Sequence, residues 1–527
     1  MLEAMGSAAQ QLFQPGPLIA FAIITPIALF NGIMIAGGIP VFILLLSFAT
    51  HLDPFIAIPA AIFYAAANDA TEPIPSILIG IPGSRGSQAT IIDGYPLARQ
   101  GKAGQALGAV YISSLIGGLI GGAALMAVLP VAREVLKLFG SAEFFLLGLL
   151  GIATVAMLSS GAMVKGLLTA ALGLAIALIG FSPITGEIRA SLGIEYLWDG
   201  LPLIPMLLGL FAIPELTNLV VSNTTIATER LDDVLKGSGA DVKEGMREAM
   251  RHKWLIVRSS LIGTFVGMMP GLGATPAHWI AYAQARQTEK GAMQSFGTGD
   301  IRGVIAPEAA NNAIDGGVLV PTLFFSIPGS PNMAIILAFL ILKGIEPGPR
   351  MLTDHLDLTI ALAWTIIIAN IIVVPIVLRF APLIARVTVI PPNILMPLVI
   401  AVIVIAVFQV SNSLGDLIVF AGATVLGLFM KAYGWPRPPI VIAIVLADIV
   451  EKYLWLSVNT YGWSMFQRPQ FVIILVIVIA LSLFGVMVQR SAQRMSSALE
   501  AEEAPSGPAA APADSPSGGS GEPDPTP

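Results

Sequence analysis

Pro270-Gly271-Leu272-Gly273-Ala274-Thr275-Pro276 interrupts a stretch otherwise apolar enough to lie in a bilayer, and Glu308-Ala309-Ala310-Asn311-Asn312-Ala313 and Ile327-Pro328-Gly329-Ser330 follow downstream. Within hydrocarbon an unpaired backbone group costs several kcal/mol, so a chain tolerates such interruptions only where protein or a lined cavity satisfies them. That requirement restricts the fold more than any other feature. In carriers, unwound backbone and the exposed ends of half-helices hold a substrate or an ion near the membrane midplane. The composition agrees with a membrane setting: 55% of the 527 residues are hydrophobic and 11% charged, against about 25% charged in soluble domains. The sequence has no cysteine, which removes disulfides, thiolate catalysis and Cys-based metal sites.

Residues 17–50 form a long apolar run broken at Asn31-Gly32 and at Gly37-Gly38-Ile39-Pro40, which predicts an interrupted first element. Residues 1–16 lack a basic leader and no Lys or Arg precedes Arg85, so no cleavable signal peptide is expected. Asn68-Asp69-Ala70-Thr71-Glu72-Pro73 leads to Ile81-Pro82-Gly83-Ser84, and the Gly-rich polar stretch from Asp93 to Gly104 reads as an interfacial connection. Four spans are expected near 106–130, 143–160, 163–181 and 200–221. Between Ile226 and Arg258 lies the most basic loop, with Arg230, Lys236, Lys243, Arg247, Arg251, Lys253 and Arg258 among acids, a solvated amphipathic segment on the cytoplasmic side.

The second half echoes the first. Ala66-Ala67-Asn68-Asp69-Ala70 answers Ala309-Ala310-Asn311-Asn312-Ala313, and Pro75-Ser76-Ile77-Leu78 with Ile81-Pro82-Gly83-Ser84 answers Pro321-Thr322-Leu323-Phe324 with Ile327-Pro328-Gly329-Ser330. Four further spans are expected near 357–379, 392–409, 413–430 and 438–457. The loop 286–302 carries Arg286, Lys290 and Arg302 while its counterpart 49–54 carries no Lys or Arg, which puts the two on opposite sides and makes the repeat inverted. Arg258 and Arg286 stand 28 positions apart, too many for one straight span and suited to a hairpin that enters halfway and returns, at about 1.5 Å per helical residue. Its tip is Gly271-Leu272-Gly273-Ala274-Thr275. The fold class expected is therefore an all-α polytopic membrane protein, two inverted repeats whose broken or re-entrant helices meet near the midplane. Its parts are a short segment 1–16, a repeat 17–225, the basic loop 226–258, a repeat 259–460, a last span within 461–490 and a disordered tail 491–527; Arg490 and Arg494 put the C-terminus in the cytoplasm.

Asn68, Asn311 and Asn312 fall at membrane depth, where each amide must be satisfied; they are candidates for substrate or ion contact, or else helix-to-helix glue. Ser84 and Ser330, each following Pro-Gly, can open a half-helix whose free N–H groups, with Gly83 and Gly329, suit a carboxylate; an ordinary cap uses Ser in the same way. Gly271, Gly273, Ala274 and Thr275 offer backbone for close approach, with carbonyls suited to sodium. Glu72, Asp69, Glu308 and Asp315 are acids near the breaks, and Glu72 and Glu308 are the coupling candidates for a proton-driven alternative. His278, near the tip, is a weaker substrate contact, while Arg85 and Lys102 mark an interface. Gly297-Thr298-Gly299-Asp300 imitates an intramembrane aspartyl protease motif but sits in a polar loop, and no GxxxxGK[ST] occurs, so neither proteolysis nor ATP hydrolysis is expected. The chain reads as no enzyme, without cofactor other than a coupling ion and without a nucleic-acid partner.

Pro270-Gly271-Leu272-Gly273-Ala274-Thr275, Ala306-Pro307-Glu308-Ala309-Ala310-Asn311-Asn312-Ala313, Ile327-Pro328-Gly329-Ser330 and Asp93-Gly94-Tyr95-Pro96-Leu97-Ala98-Arg99-Gln100-Gly101 resemble the large membrane subunit of tripartite tricarboxylate transporters, the TctA type. The likeness extends to about residue 490. It implies a bacterial inner-membrane secondary transporter importing di- or tricarboxylates by alternating access. It also implies a sodium gradient as driving force, a small membrane subunit of TctB type and a periplasmic binding protein of TctC type. A homodimer and lipid contacts are compatible with it, and a non-transporting receptor or scaffold is the alternative from another class. The first-half counterpart of Pro-Gly-Leu-Gly reads Pro40-Val41-Phe42-Ile43, so the second repeat is expected to dominate the cation side.

Overall fold

Apolar runs that cannot leave backbone groups unpaired become helices, and nearly every element of this chain is one. A computed structural model describes residues 2–33, 38–78, 87–158, 163–182, 184–222, 239–269, 274–387 and 392–476, with Gly80 and scattered positions up to 487. Among the described residues four helices are long and apolar enough to cross a membrane: Pro15–Gly32, Ala103–Leu136, Leu356–Arg379 and Leu414–Ala432. Shorter apolar helices, including Ser141–Ala153, Val164–Ala177 and Pro331–Leu342, pack among them. The chain is a multi-pass membrane protein.

Pro15–Ile33 and Gly38–Ala49 are both helices; the break expected at Asn31-Gly32 is absent, those residues being inside the first helix, and residues 34–37 lie outside the described residues. The eight further spans also have helical counterparts, from Ala103–Leu136 to Pro438–Tyr461. Two further expectations change. The polar stretch 93–104 is not an irregular connection: Gln88–Arg99 is a helix and Ala103 opens the next. The segment Glu308–Ala313 does not break at all, being interior to the unbroken Arg302–Phe325 helix. Its echo in the first half does break, because Pro54–Asp69 stops at Ala70 and a short helix restarts at Pro73. Pro73 supplies no N–H and keeps the preceding residue out of the helical region. At the matching place the second half has Gly316 and Gly317, so the helix runs on to Ser326, which turns the chain at φ 58°.

The Arg302–Phe325 helix is the axis of the core, buried along almost its whole length. Glycines bring its two neighbours in. On the Ala103–Leu136 helix a Cβ at Gly117 would collide with the Ala309 carbonyl, and one at Gly121 would stand 2.5 Å from the Ala313 oxygen. On the opposite flank Gly263 and Gly267 of Lys253–Met268 meet Ala310 and Ile314 in the same way. Both pairs are spaced by four, the small-xxx-small arrangement through which membrane helices pack backbone to backbone.

Lys253–Met268 and Ala274–Thr288 are the two arms of the expected hairpin, and their outer ends are tied by Arg258 and Glu289 at 2.8 Å. The tip residues Pro270 to Gly273 lie outside the described residues, as do Gly83, Ser84, positions 477–478, 481–486 and 488–490 of the last expected span, and the tail. A small β-hairpin, Gly180–Phe181 against Ile188–Arg189, caps the opposite end of the bundle and is held by Arg189 on Glu451 at 2.9 Å.

Candidate functional site

Between the Pro54–Asp69 and Arg302–Phe325 helices lies a layer of buried polar side chains. Asn311, Asn312 and Asp315 follow Glu308 by three, four and seven positions, which keeps all four on neighbouring rows of the helix. They are 1%, 3%, 0% and 7% exposed. Opposite them, Asn68 ends its helix by taking part in an amide chain: Asn31 Nδ2 donates to Asn68 Oδ1 at 2.9 Å and to Tyr64 Oη at 2.7 Å, and Asn68 Nδ2 donates to Glu72 Oε1 at 3.0 Å. Gly32 makes this contact possible, since a Cβ there would strike the Thr71 side chain and the Asn68 carbonyl.

Asn311 joins the halves. Its Oδ1 lies 2.8 Å from His278 Nε2, and its Nδ2 reaches the Asp69 main-chain oxygen at 3.5 Å. Asn312 turns to the other side and donates to Asn370 Oδ1 at 2.7 Å. Glu308 accepts a short hydrogen bond from Thr90. Several buried atoms of the layer find no partner by geometry: His278 Nδ1, Glu308 Oε2, Asn312 Oδ1 and Asp315 Oδ2. A buried polar group without a partner is rare enough in native proteins to need a reason.

Of the residues singled out in the sequence, Asn68, Glu72, Glu308, Asn311 and Asn312 thus come together in one layer. Ser330 does not join them by any hydrogen bond; it caps Pro331–Leu342, its Oγ accepting from Met333 N at 3.2 Å, with Gly329 buried beside it against Val318. Ala274 and Thr275 open the second arm of the hairpin, but their side chains lie outside the described residues, as do Gly271 and Gly273 altogether. Asn370 went unnoticed in the sequence, although an Asn within Thr365-Ile366-Ile367-Ile368-Ala369-Asn370-Ile371-Ile372 was the available signal. Thr90 carried no signal, because nothing local distinguishes a Thr that meets a partner 218 positions away.

At the end of the layer nearest Arg302, outside the spanning helices, Asp93 docks the Gln88–Arg99 helix onto the loop that resembled a protease motif. Its Oδ1 accepts from the main-chain N–H groups of Gly297, Gly299 and Asp300 at 2.8, 3.0 and 2.8 Å, and Tyr282 Oη donates to Oδ2 at 3.0 Å. Burial pushes the Asp93 carboxyl up to about 6 against those donors. Asp300 is also raised by burial, yet hydrogen bonds from Arg302 and Ser295 outweigh this and hold its carboxyl below the ordinary value. The motif is therefore a structural anchor, its glycines serving positive φ (89° at Gly297, 102° at Gly299).

Residues 18–442 match the family described as "Tripartite tricarboxylate transporter TctA family". A protein of Agrobacterium vitis printed as "Uncharacterized 52.8 kDa protein in TAR-I ttuC' 3'region" is 30% identical over 385 residues, 72% of this chain and 74% of that protein. A second from the same organism, "Uncharacterized protein in TAR-II ttuC' 3'region", is 31% identical over 196 residues, 36% of this chain and 79% of its own length. No solved structure matches.

Proposed function

Since the chain belongs to the tripartite tricarboxylate transporter TctA family, we propose that it is the large transmembrane subunit of a binding-protein-dependent secondary transporter that imports di- and tricarboxylates, coupled to sodium, across a bacterial inner membrane. Members of such a tripartite family work with a small membrane subunit of TctB type and a substrate-binding protein of TctC type. The observation that carries the reading is the buried layer in which Asn311 bridges His278 and the Asp69 carbonyl, polar groups from both halves meeting inside an apolar bundle. Intramembrane polar groups of this kind mark substrate and ion pathways.

In this reading Asn68, Asn311, Gly329 and Ser330, with Gly83, Ser84 and Thr275, receive the carboxylate. The backbone at Gly271, Gly273 and Ala274, with Asn311 and Asn312, receives sodium. The halves form an inverted pair. In support, Arg302 stands with the 286–302 loop at one end of its helix, whereas Gly348 donates to Leu323 O at the other end and nearby Lys343 holds the Thr50 carbonyl at 2.8 Å. The C-terminus is cytoplasmic, alternating access moves one half against the other, and two copies form a dimer within the lipid.

Uptake of labelled di- and tricarboxylates into proteoliposomes holding the chain, a small subunit and a loaded binding protein tests this. Uptake is expected to follow a sodium gradient. If it ignores sodium and follows a pH gradient, the proton-coupled alternative through Glu72 or Glu308 replaces it, an alternative favoured by the buried Glu308 oxygen that lacks a donor. If no gradient drives uptake, the receptor or scaffold reading takes over.

A further inference from the structure

Asp69 and Asp315 come from opposite halves of the chain, and their carboxyls stand within hydrogen-bonding reach of one another. Asp315 is 7% exposed, and no hydrogen-bond donor reaches its Oδ2. Glu308 lies close enough to act on Asp69, and Glu72 close enough to act on Asp315; among the described residues no Lys or Arg acts on Asp69, Glu308 or Asp315. Two carboxylates in contact inside a low-dielectric interior cannot both stay ionised without compensation. A shared proton or a bound cation would relieve them.

The surroundings favour the proton. Among the described residues no group of three or more His, Asp or Glu side chains is arranged to hold a metal ion. Of the two amides nearby, Asn68 hydrogen-bonds the Asp69 carboxyl, and Asn311 spends its donor on the Asp69 main chain and its oxygen on His278, whose second nitrogen is buried and unpartnered. Two acceptor oxygens facing each other with no donor between them are what a hydrogen bond lacks only its hydrogen to complete. We infer that Asp69 and Asp315 share one proton, a carboxyl–carboxylate pair that bridges the two halves of the chain. The titratable groups around it are Tyr64 and Glu72 from the first half, Glu308 one helical face away, and His278 through Asn311. On the transport reading, on which this consequence alone rests, parting the halves splits the pair and releases the proton, so uptake acquires a pH dependence besides its sodium dependence.

Infrared spectroscopy of the full chain in lipid nanodiscs at neutral pH, compared between H2O and D2O, tests the pair directly. The expected result is a protonated-carboxyl band in a Glu308→Gln background, which removes the other buried carboxyl of the layer, that disappears when Asp69→Asn or Asp315→Asn is added to it, with helical content and monodispersity unchanged. A band that survives both Asn variants overturns the proposal, and so does one that vanishes when choline is exchanged for sodium, which would put a metal ion where the proton is assigned. Should either Asn variant fail to fold, the band of Glu308→Gln alone decides: titration in the ordinary aspartate range overturns the pair, and persistence well above it upholds the pair. The spectrum needs no substrate, so absence of uptake would sink the transport reading and leave this result standing.

Discussion

Asn311 has both ends of its amide engaged, so truncating it leaves a buried His278 nitrogen unsatisfied and takes a donor from the partly buried Asp69 carbonyl. Leaving a buried group unpaired costs about 1–3 kcal/mol. Asn311→Ala is expected to lower the thermal midpoint of the detergent-solubilised protein by that order and to abolish uptake, whereas Ser330→Ala, which loses an N-cap worth about 1 kcal/mol, should still fold while losing uptake. Wild-type uptake rates in both would remove these residues from the site. The Asn312–Asn370 contact at 2.7 Å is of another kind, one hydrogen bond between two helices. A double-mutant cycle to Ala should return a coupling near 0.6 kcal/mol, the typical worth of such bonds in membranes, and a value of zero would show that the two amides do not depend on one another. Asp300 is the residue whose charge the loop protects. Because its folded pKa is depressed, its stabilisation is present above the unfolded value of about 3.9 and disappears as pH falls through the folded value. The thermal midpoint of wild type should therefore exceed that of Asp300→Asn at neutral pH and converge with it in acid. Asp93, raised to about 6 by burial, is kept in both proteins, and comparing them separates the Asp300 contribution from it.

Helices here pack through what glycine omits. A Cβ at Gly121 would press on the Ala313 backbone, which cannot step aside as a flexible side chain would. Gly121→Val is expected to destabilise by more than the ~1–3 kcal/mol of ordinary overpacking, read as loss of folded protein after heating in detergent. Gly422 makes the contrast: it lies inside the Leu414–Ala432 helix with nothing within 4 Å of an added Cβ. Gly422→Ala should leave stability unchanged or raise it by up to about 1 kcal/mol through helix propensity. Equal losses in the two variants would mean that the buried axis does not rest on close backbone approach. The sequence offered Gly117 and Gly121 as a recognisable spacing, but nothing in it said which helix would fill the groove.

Taken as a whole the chain has polar ends set apart by an apolar middle. The 286–302 loop gathers with Asp93 at one end, and Thr50 gathers with Lys343 and Glu346 at the other, where Glu346 meets Lys452 at 3.0 Å. Because the sequence contains no cysteine, single thiols can be introduced without background. Leu52→Cys and Gln287→Cys, both at exposed positions, should react with a membrane-impermeant reagent from opposite sides of sealed vesicles. Labelling from the same side would sink the inverted arrangement.

The amino-acid sequence alone determined that this is a bundle of membrane helices, where most of them run, and that Asn68, Asn311 and their neighbouring acids were out of place in hydrocarbon. Those are local properties, carried by hydropathy over about twenty residues and by the cost of a single unpaired group. It also paired Asn68 with Asn311 through the repeat, yet misjudged the second as a break, because Pro73 and Gly316 act on the backbone in different ways and only packing against Gly121 and Thr264 shows that the helix continues. Tertiary structure decided the rest: that Asn31, Thr90, His278 and Asn370 complete the layer, that Asp93 anchors a distant loop, and that two aspartates from separate halves meet. Each of these is a contact between residues tens to hundreds of positions apart, and no local pattern encodes which distant side chain will satisfy a buried polar atom.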